Sequence, residues 1–423
     1  MTDVRPFRAL RYDPKRVDLA KVLVPPFDVI SADERARLWE RDPHCAIRLE
    51  LTREIDEEAR TDYHEVAERL GEWRRSGVLV RDAQPAFYAL RQRFAGPDGS
   101  RVERVGWFAA LRLEDYEKRV VRPHERTLAA PKADRLKLLR ATRANLSAVF
   151  FLYEDRELAL GPLLAAALEA PAAAPVRDAE GVEQTLVRVE DPGSVAAIQR
   201  FLAGRPCVIA DGHHRYETAL QYRDERLRAE PGAGEDAPFR SIFAYFANAY
   251  APGTLLLPIH RVIRKGPAPT DAAWRERLAG WEERSVAVQG AEEIPALLAR
   301  LLEPLRHRHA FAADDGSGKL RVFVRAADGE LGVRVVHREV LEGVFGIDEA
   351  AVRDGAVDFP KSALAAARQV RAGRGAVAIY LNPLEPEDVF RVTAAGELLP
   401  QKSTFFHPKL PTGLLFRSLE TDP

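Results

Sequence analysis

Cysteine is almost missing from this 423-residue chain, with Cys45 and Cys207 the only two. Two thiols in apolar or strand-like stretches cannot build a disulfide framework, so a reducing compartment is the expected setting. An excess of one charge is missing as well. The 63 basic and 64 acidic residues leave a formal net charge of -1, too little for a global pull on nucleic acid or an anionic membrane. Any anion site must therefore be local. No stretch approaches the roughly eighteen apolar residues of a membrane span. The opening Met1-Thr-Asp-Val-Arg-Pro6 has no hydrophobic signal core, and a cytoplasmic protein is expected. Also absent are an internal repeat, a P-loop, a Gly-x-Gly-x-x-Gly fingerprint, a zinc spacing and a helix-turn-helix. DNA binding is accordingly not expected. What remains is ample core material, with 46% hydrophobic and 30% charged residues. That fits a globular chain of two or three domains or one elaborated α/β body.

The stretch from Pro206 to Leu220 carries the strongest signal. Cys207, Val208, Ile209 and Ala210 form a short apolar run behind Gly204-Arg205-Pro206, the pattern of a buried strand. The polar cluster from Asp211 to Arg215 breaks it. Tyr216, Ala219, Leu220 and Arg223 then recur at helical spacing with no Gly or Pro before Pro231, so a helix follows the elbow. A helix start offers backbone N–H groups and the positive end of the macrodipole, and phosphate is the natural guest. Gly212 lets a backbone approach, Arg215 offers a bidentate fork, and His213 and His214 add donors or proton carriers. The competing reading is an Asp-Gly turn followed by a surface arginine.

Earlier in the chain, Pro25-Pro26 enforces an extended turn that either packs Phe27 or presents Asp28. Ser31 and Glu34 make a capping box for a helix through Trp39. Ala46 to Leu51 alternates like a strand, and Tyr63, Val66, Leu70 and Trp73 mark an amphipathic helix over Thr61 to Ser76. Phe87 to Phe94 and Val102 to Leu113 flank Gly96-Pro-Asp-Gly99, a β-hairpin pattern. His124-Glu125 lies in a proline-ordered loop, where the carboxylate is a general base, a magnesium-organising group or a surface pair. A helix from about Pro131 carries Lys132, Arg135, Lys137, Arg140 and Arg143, read mainly as a solvated face. Then follow a strand at Ser147 to Tyr153, a helix at Glu157 to Leu168, a linker at Ala170 to Pro175, a strand at Thr185 to Val189 and a helix at Val195 to Leu202. His260 and Arg261 sit on a strand interrupted by Pro258. They form either an inward anion-binding pair or polar residues of an edge strand. The tail brings Lys402, Ser403, Thr404 and Lys409 together among aromatics, either as a phosphate or carboxylate clamp or as an arm packing Phe405 and Phe406.

Four blocks in this order resemble the family called domain of unknown function 1015. They are Pro-Pro-Phe-Asp-Val-Ile from Pro25, Arg-Pro-His-Glu-Arg-Thr from Arg122 with Lys-Ala-Asp-Arg-Leu after it, Ala-Asp-Gly-His-His-Arg-Tyr-Glu-Thr-Ala from Ala210, and Lys-Ser-Thr-Phe-Phe-His-Pro-Lys from Lys402. The Asp-Gly-His-His-Arg block also resembles the signature of free-serine kinases of the ParB/sulfiredoxin superfamily. That resemblance implies a nucleotide-phosphate elbow at Asp211, Gly212, His213, His214 and Arg215. His124-Glu125 with Arg135 and Leu139 is similar to the kinases' upstream block, which implies Glu125 as the base for the acceptor hydroxyl. The two blocks stand further apart here than in the kinases.

The expected fold is α+β, with mixed sheets and helices and a ParB/sulfiredoxin-like nucleotide-binding core. The core is placed at 114–265, after an N-terminal α/β segment with a β-hairpin at 1–113. A C-terminal α/β lobe at 266–423 returns a Lys-Ser-Thr arm to the core. The expected function is a nucleotide-dependent phosphotransferase, a small-molecule kinase using ATP or ADP and Mg2+. Asp211 organises the ion, and Glu125, His124 and His213 form the catalytic group. Lys402, Ser403, Thr404, Lys409, His260 and Arg261 are accessory anion ligands. The partners are a nucleotide and a small hydroxyl compound, with no membrane or nucleic acid. A nucleotide-sensing protein without catalysis is the first alternative, and a metal-dependent hydrolase built from His124, Glu125, Asp211, His213 and His214 is the second.

Overall fold

The computed structural model describes residues 1–53, 61–127, 129–169, 174–264, 266–400 and 402–420. It falls into two compact units. The first comprises Met1–Leu255, Thr393–Glu397 and Pro408–Pro423, and the second Leu256–Val392 and Leu398–His407. Among the described residues no helix is long and apolar enough to cross a membrane.

The first unit is built on a nine-stranded sheet. In chain order its strands are β1 (Val4–Arg5), β2 (Phe87–Ala95), β3 (Arg101–Arg112), β4 (Val121–Arg122), β5 (Val149–Tyr153), β6 (Val176–Arg177), β7 (Glu183–Val189), β8 (Cys207–Asp211) and β9 (Ser241–Asn248). They lie side by side as β4-β8-β5-β9-β3-β2-β7-β6, with β1 against β3. β8 runs parallel to β4 and β9 parallel to β5, while the other pairings are antiparallel, so the sheet is mixed. The hairpin joining β2 and β3 turns where expected. Gly99 takes φ +80, and Asp98 Oδ1 accepts from the Ser100 N–H at 3.0 Å.

Besides a single turn at Leu19–Val22, the α-helices of this unit are α1 (Ala32–Arg41), α2 (Ile47–Glu50), α3 (His64–Arg75), α4 (Ala129–Thr142), α5 (Gly161–Glu169), α6 (Pro192–Ala203) and α7 (His213–Ala229). Alternation along the strands gives one sheet face Phe87, Ala89, Trp107, Phe151, Ile209 and Phe246. Those side chains bury against Leu164 and Leu168 of α5, Ile198 and Leu202 of α6, and Tyr216 and Ala219 of α7. Trp107 stacks on Phe246 at 4.7 Å and Phe246 on Phe151 at 5.3 Å. A second core forms among Trp39, Ile47, Leu70, Trp73 and Leu138 of α1 to α4. The cap read from sequence is in place, with Ser31 Oγ accepting from the Glu34 N–H at 3.3 Å; the structure adds another, Asp191, which caps α6 ahead of Pro192 at its N1 position.

Three expectations change. Ala46 to Leu51 is not a strand: its centre is the short helix α2, and Glu50 is buried because Arg135 donates to its carbonyl and carboxylate at 3.0 and 3.1 Å. The helix expected from Glu157 begins at Gly161, after Leu158 takes a left-handed φ of 55. The boundary at 113/114 vanishes, because β3 pairs with β2 on one side and β9 on the other, placing 1–113 and 114–255 in one sheet. Of the linker at Ala170 to Pro175, residues 170–173 lie outside the described residues.

The second unit holds a six-stranded sheet of β10 (Arg261–Ile263), β11 (Glu282–Ala287), β12 (His309–Asp314), β13 (Lys319–Arg325), β14 (Val357–Asp358) and β15 (Val377–Leu381). Their spatial order is β11-β13-β12-β15-β10-β14. α8 (Ile294–Leu301) and α9 (Ala363–Arg371) pack on Ala312, Leu320, Val322 and Tyr380. A π-helical stretch, Val336–Glu342, interrupts the regular helical pattern. The edge-strand reading of His260 and Arg261 is overturned: β10 lies between β15 and β14, and both side chains are buried. Pro258 costs no ladder bond because it precedes the strand.

Gly253 shows how closely backbones approach in the first unit. A Cβ there would overlap the Glu103 carbonyl and lie 2.7 Å from Arg104 Cα, and backbone cannot give way as a side chain tip can. Gly253→Ala is expected to lower the stability of the chain by about 3 kcal/mol in urea denaturation; a midpoint equal to that of the parent chain would contradict the close approach.

Candidate anion site at the strand-to-helix elbow

β8 ends at Asp211, Gly212 turns the chain with φ +95, and α7 begins at His213. A side chain at that φ is strained, and a Cβ would also press on the Arg215 guanidinium at 3.0 Å. α7 runs for 17 residues with no acidic residue in its first turn and no side-chain cap. Its positive end is therefore not neutralised locally.

Asp211 is the hub. Its Oδ1 accepts from Lys409 Nζ at 2.5 Å and its Oδ2 from Arg215 Nη2 at 2.7 Å. Burial opposes ionisation, and the two cations more than reverse it, holding the carboxyl well below the usual carboxylate range. Arg215 Nη1 also donates to the Ala148 carbonyl. The tail that brings Lys409 is itself pinned. Arg104 Nη2 donates to the Pro408 carbonyl at 2.7 Å, and Thr412 exchanges backbone bonds with Val24 at 2.8 and 3.1 Å. The latter pair ties the tail to the Pro25-Pro26 loop.

His124 and Glu125 come to the same place. The His124 backbone N–H donates to His213 Nε2 at 3.3 Å, and the two rings meet edge to face at 4.6 Å. His124 Nδ1 stands 2.6 Å from the Ile209 carbonyl, which can only accept, so Nδ1 carries the proton. Burial is the main force lowering both histidines; charge on His124 lowers His213 further while Asp211 opposes the fall, and both are neutral near pH 7. The half-buried Glu125 carboxylate acts on His124 and His214. His214 is lowered by burial, against the pull of Glu217, Glu125 and Asp28. Glu217 Oε2 accepts from Thr127 at 2.7 Å and Lys132 at 2.8 Å. Behind the elbow, Arg215 borders a cavity of about 50 Å³ shared with Glu50, Arg135, Ser147 and Thr218, and Glu50 Oε1 is buried there without a partner. That volume holds about four waters.

The predicted residues are thus divided. Asp211 to Arg215, His124, Glu125 and Lys409 meet in the first unit. His260, Arg261, Lys402, Ser403 and Thr404 belong to the second, where Arg261 Nη2 reaches the Lys402 carbonyl at 3.4 Å and Ser403 Oγ donates to the Pro400 carbonyl at 2.6 Å. Lys409 is more central than an accessory ligand. Asp28, Thr127, Lys132 and Glu217 were missed as a group, although each stands inside one of the quoted blocks.

Two metal readings do not fit. Both Asp211 oxygens already face cations, so Mg2+ on them would have to displace Lys409 or Arg215. For the hydrolase set, His124 Nδ1 and His213 Nε2 are taken by backbone groups. Among the described residues no three His, Cys, Asp or Glu are placed to hold a metal ion.

A family model described as a protein of unknown function, DUF1015, matches residues 4–328. The chain belongs to that family. No curated protein matches this DUF1015 member. Among solved structures, a free serine kinase mutant in complex with AMP shares 11% identity at TM-score 0.35, covering 68% of this chain and 84% of that one. A conserved hypothetical protein from Pyrococcus furiosus shares 12% at TM-score 0.33, covering 70% and 92%. SbnI with a C-terminal truncation, from Staphylococcus aureus, shares 10% at TM-score 0.34, covering 75% and 90%.

The buried histidines set the acid response of this DUF1015 protein. His124 and His213 are neutral when folded but take up protons below about 6.5 when unfolded, so the unfolded chain binds more protons and stability falls with pH. Each is expected to remove about 1 kcal/mol by pH 5.5. Urea denaturation at pH 7.5 and 5.5 measures the loss, and His213→Asn is expected to flatten it; an unaltered pH slope in that variant would show that His213 is not held neutral.

Proposed function

We propose that the elbow binds the phosphates of ATP or ADP, and that this chain is a nucleotide-dependent phosphotransferase acting on a small hydroxyl compound such as free serine. The observation that carries the reading is a convergence. Lys409 and Arg215 share one carboxylate at the uncapped start of a 17-residue helix, and His124, next to Glu125 in the chain, meets His213 in that helix's first turn. Two cations against one Asp211 leave a surplus of positive charge, to which the helix start adds. Phosphoryl transfer asks mainly for positioning and neutralisation. In this reading the backbone from Gly212 to His214 cradles phosphate oxygens, Arg215 and Lys409 neutralise them, and Glu125 accepts the proton of the acceptor hydroxyl. His124 and His213, both neutral, fix the spacing between the Glu125 loop and α7.

One observation favours a second reading, nucleotide sensing without transfer: each Asp211 oxygen already holds a cation, so a phosphate-bound Mg2+ there would stand against Lys409 and Arg215. The two readings separate in one experiment on the full chain. ATP and ADP binding, with and without Mg2+, is expected to weaken at least about tenfold in Arg215→Ala and in Lys409→Gln. Glu125→Gln is expected to bind as the parent does and to lose at least about a hundredfold in phosphate transfer from ATP to free serine. Undiminished nucleotide binding in both cation variants would remove the assignment, and binding without any turnover in the parent chain would select the sensing reading.

A further inference from the structure

The second unit contains a charge that the fold leaves unanswered. Arg261, at the start of β10, is 1% exposed, and among the described residues no carboxylate pairs with it. Its Nη1 donates to the Ile259 carbonyl, and its Nη2 to His337 Nε2 at 3.1 Å and, more weakly, to the Lys402 carbonyl at 3.4 Å. Its Nε is buried with no acceptor. Burying a guanidinium without a counter-charge is costly unless another group compensates. Two other buried arginines are better served. Arg104 places Nε and Nη2 on Gln92 Oε1, and Arg417 donates to Asn145 Oδ1 and to the Ser241 and Pro238 carbonyls.

The surroundings of Arg261 are those of an anion receptor. His337 accepts from Arg261, so its Nδ1 carries the proton and is a donor. It stands on the π-helical stretch, a geometry frequent at functional positions. Lys402 takes a left-handed φ of 59, a conformation that costs a lysine energy and persists only where the surroundings hold it. Lys361 Nζ lies over the Phe405 ring at 4.1 Å, and Phe359 lies 5.6 Å from the Arg261 guanidinium. Cations and aromatics gather here.

We propose that Arg261, with His337 and the arm bearing Lys402, Ser403 and Thr404, binds a small oxyanion, a phosphate or a carboxylate, in the second unit. The anion takes Nε together with the Nη2 donor now spent on the long bond to the Lys402 carbonyl, giving the bidentate fork its natural guest. The strained Lys402 turn is the part that yields. This site is independent of the elbow and of the reading given to it.

The test uses the full chain, with inorganic phosphate and succinate as probes in calorimetric titrations. One or both are expected to bind the parent chain and Arg215→Ala with dissociation constants within about threefold, and Arg261→Met at least about tenfold more weakly. Phosphate alone identifies a phosphoryl ligand, and succinate alone a carboxylate. Replacing an unpaired buried charge by an apolar side chain is usually tolerated, so Arg261→Met is expected to fold. If it does not, Arg261→Lys decides, since it keeps the charge and loses the fork: binding as tight as the parent's would overturn the proposal. Failure of both probes to bind the parent, equal binding to Arg261→Met, or loss of binding in Arg215→Ala would overturn it as well.

Discussion

The first unit's candidate site depends on one carboxylate holding two cations. Asp211, at the end of β8, receives Arg215 from four residues on, in the first turn of α7, and Lys409 from 198 residues away. Without it, two side chains that are only 12% and 15% exposed would repel each other at the positive end of α7. With it, they stand fixed at the elbow with a positive surplus. Everything else in the site is arranged round that fixed point: the Ala148 carbonyl steadies Arg215, the Pro408 carbonyl ties the lysine arm to Arg104, and Thr412 secures the arm to the Pro25-Pro26 loop.

Much of this was legible in the residues and some was not, for reasons that can be named. The elbow was readable because hydrophobic periodicity switches at Asp211 from an apolar strand run to helical spacing, a local signal. The hairpin and the cap at Ser31 are equally local. Glu125 could be brought to the elbow by resemblance only, since what joins them is a backbone N–H meeting a histidine ring across 89 residues. Arg215 was legible as an arginine at a helix start, but that its fork would be spent on Asp211 and Ala148 was not, because no pattern reveals which acceptor an arginine finds. Ala46 to Leu51 misled because a four-residue helix has too little length to show its period, and because Glu50 looks like an exposed alternate until Arg135 is known to bury it.

The tail block shows the same limit in another form. Read as one loop, Lys402 to Lys409 suggested one clamp. The chain instead crosses from one unit to the other between His407 and Pro408, so the hydroxyls go with Arg261 and the second lysine goes with Asp211. Proximity in sequence was a poor guide because the tail is shared, and the polar residues on either side of the crossing answer different charges.

That crossing bears on synthesis. Ribosomes add about 5 to 20 residues per second, so the 198 residues separating Asp211 from Lys409 take on the order of 10 to 40 s to make. During that interval the elbow has Arg215 alone, and the strand β8 that carries it already has its neighbours β4 and β5. A nascent chain therefore has all nine strands of the sheet but a half-assembled cation pair, and the segment that brings the lysine also brings Phe416 to the second core and Arg417 to its buried place beside Asn145.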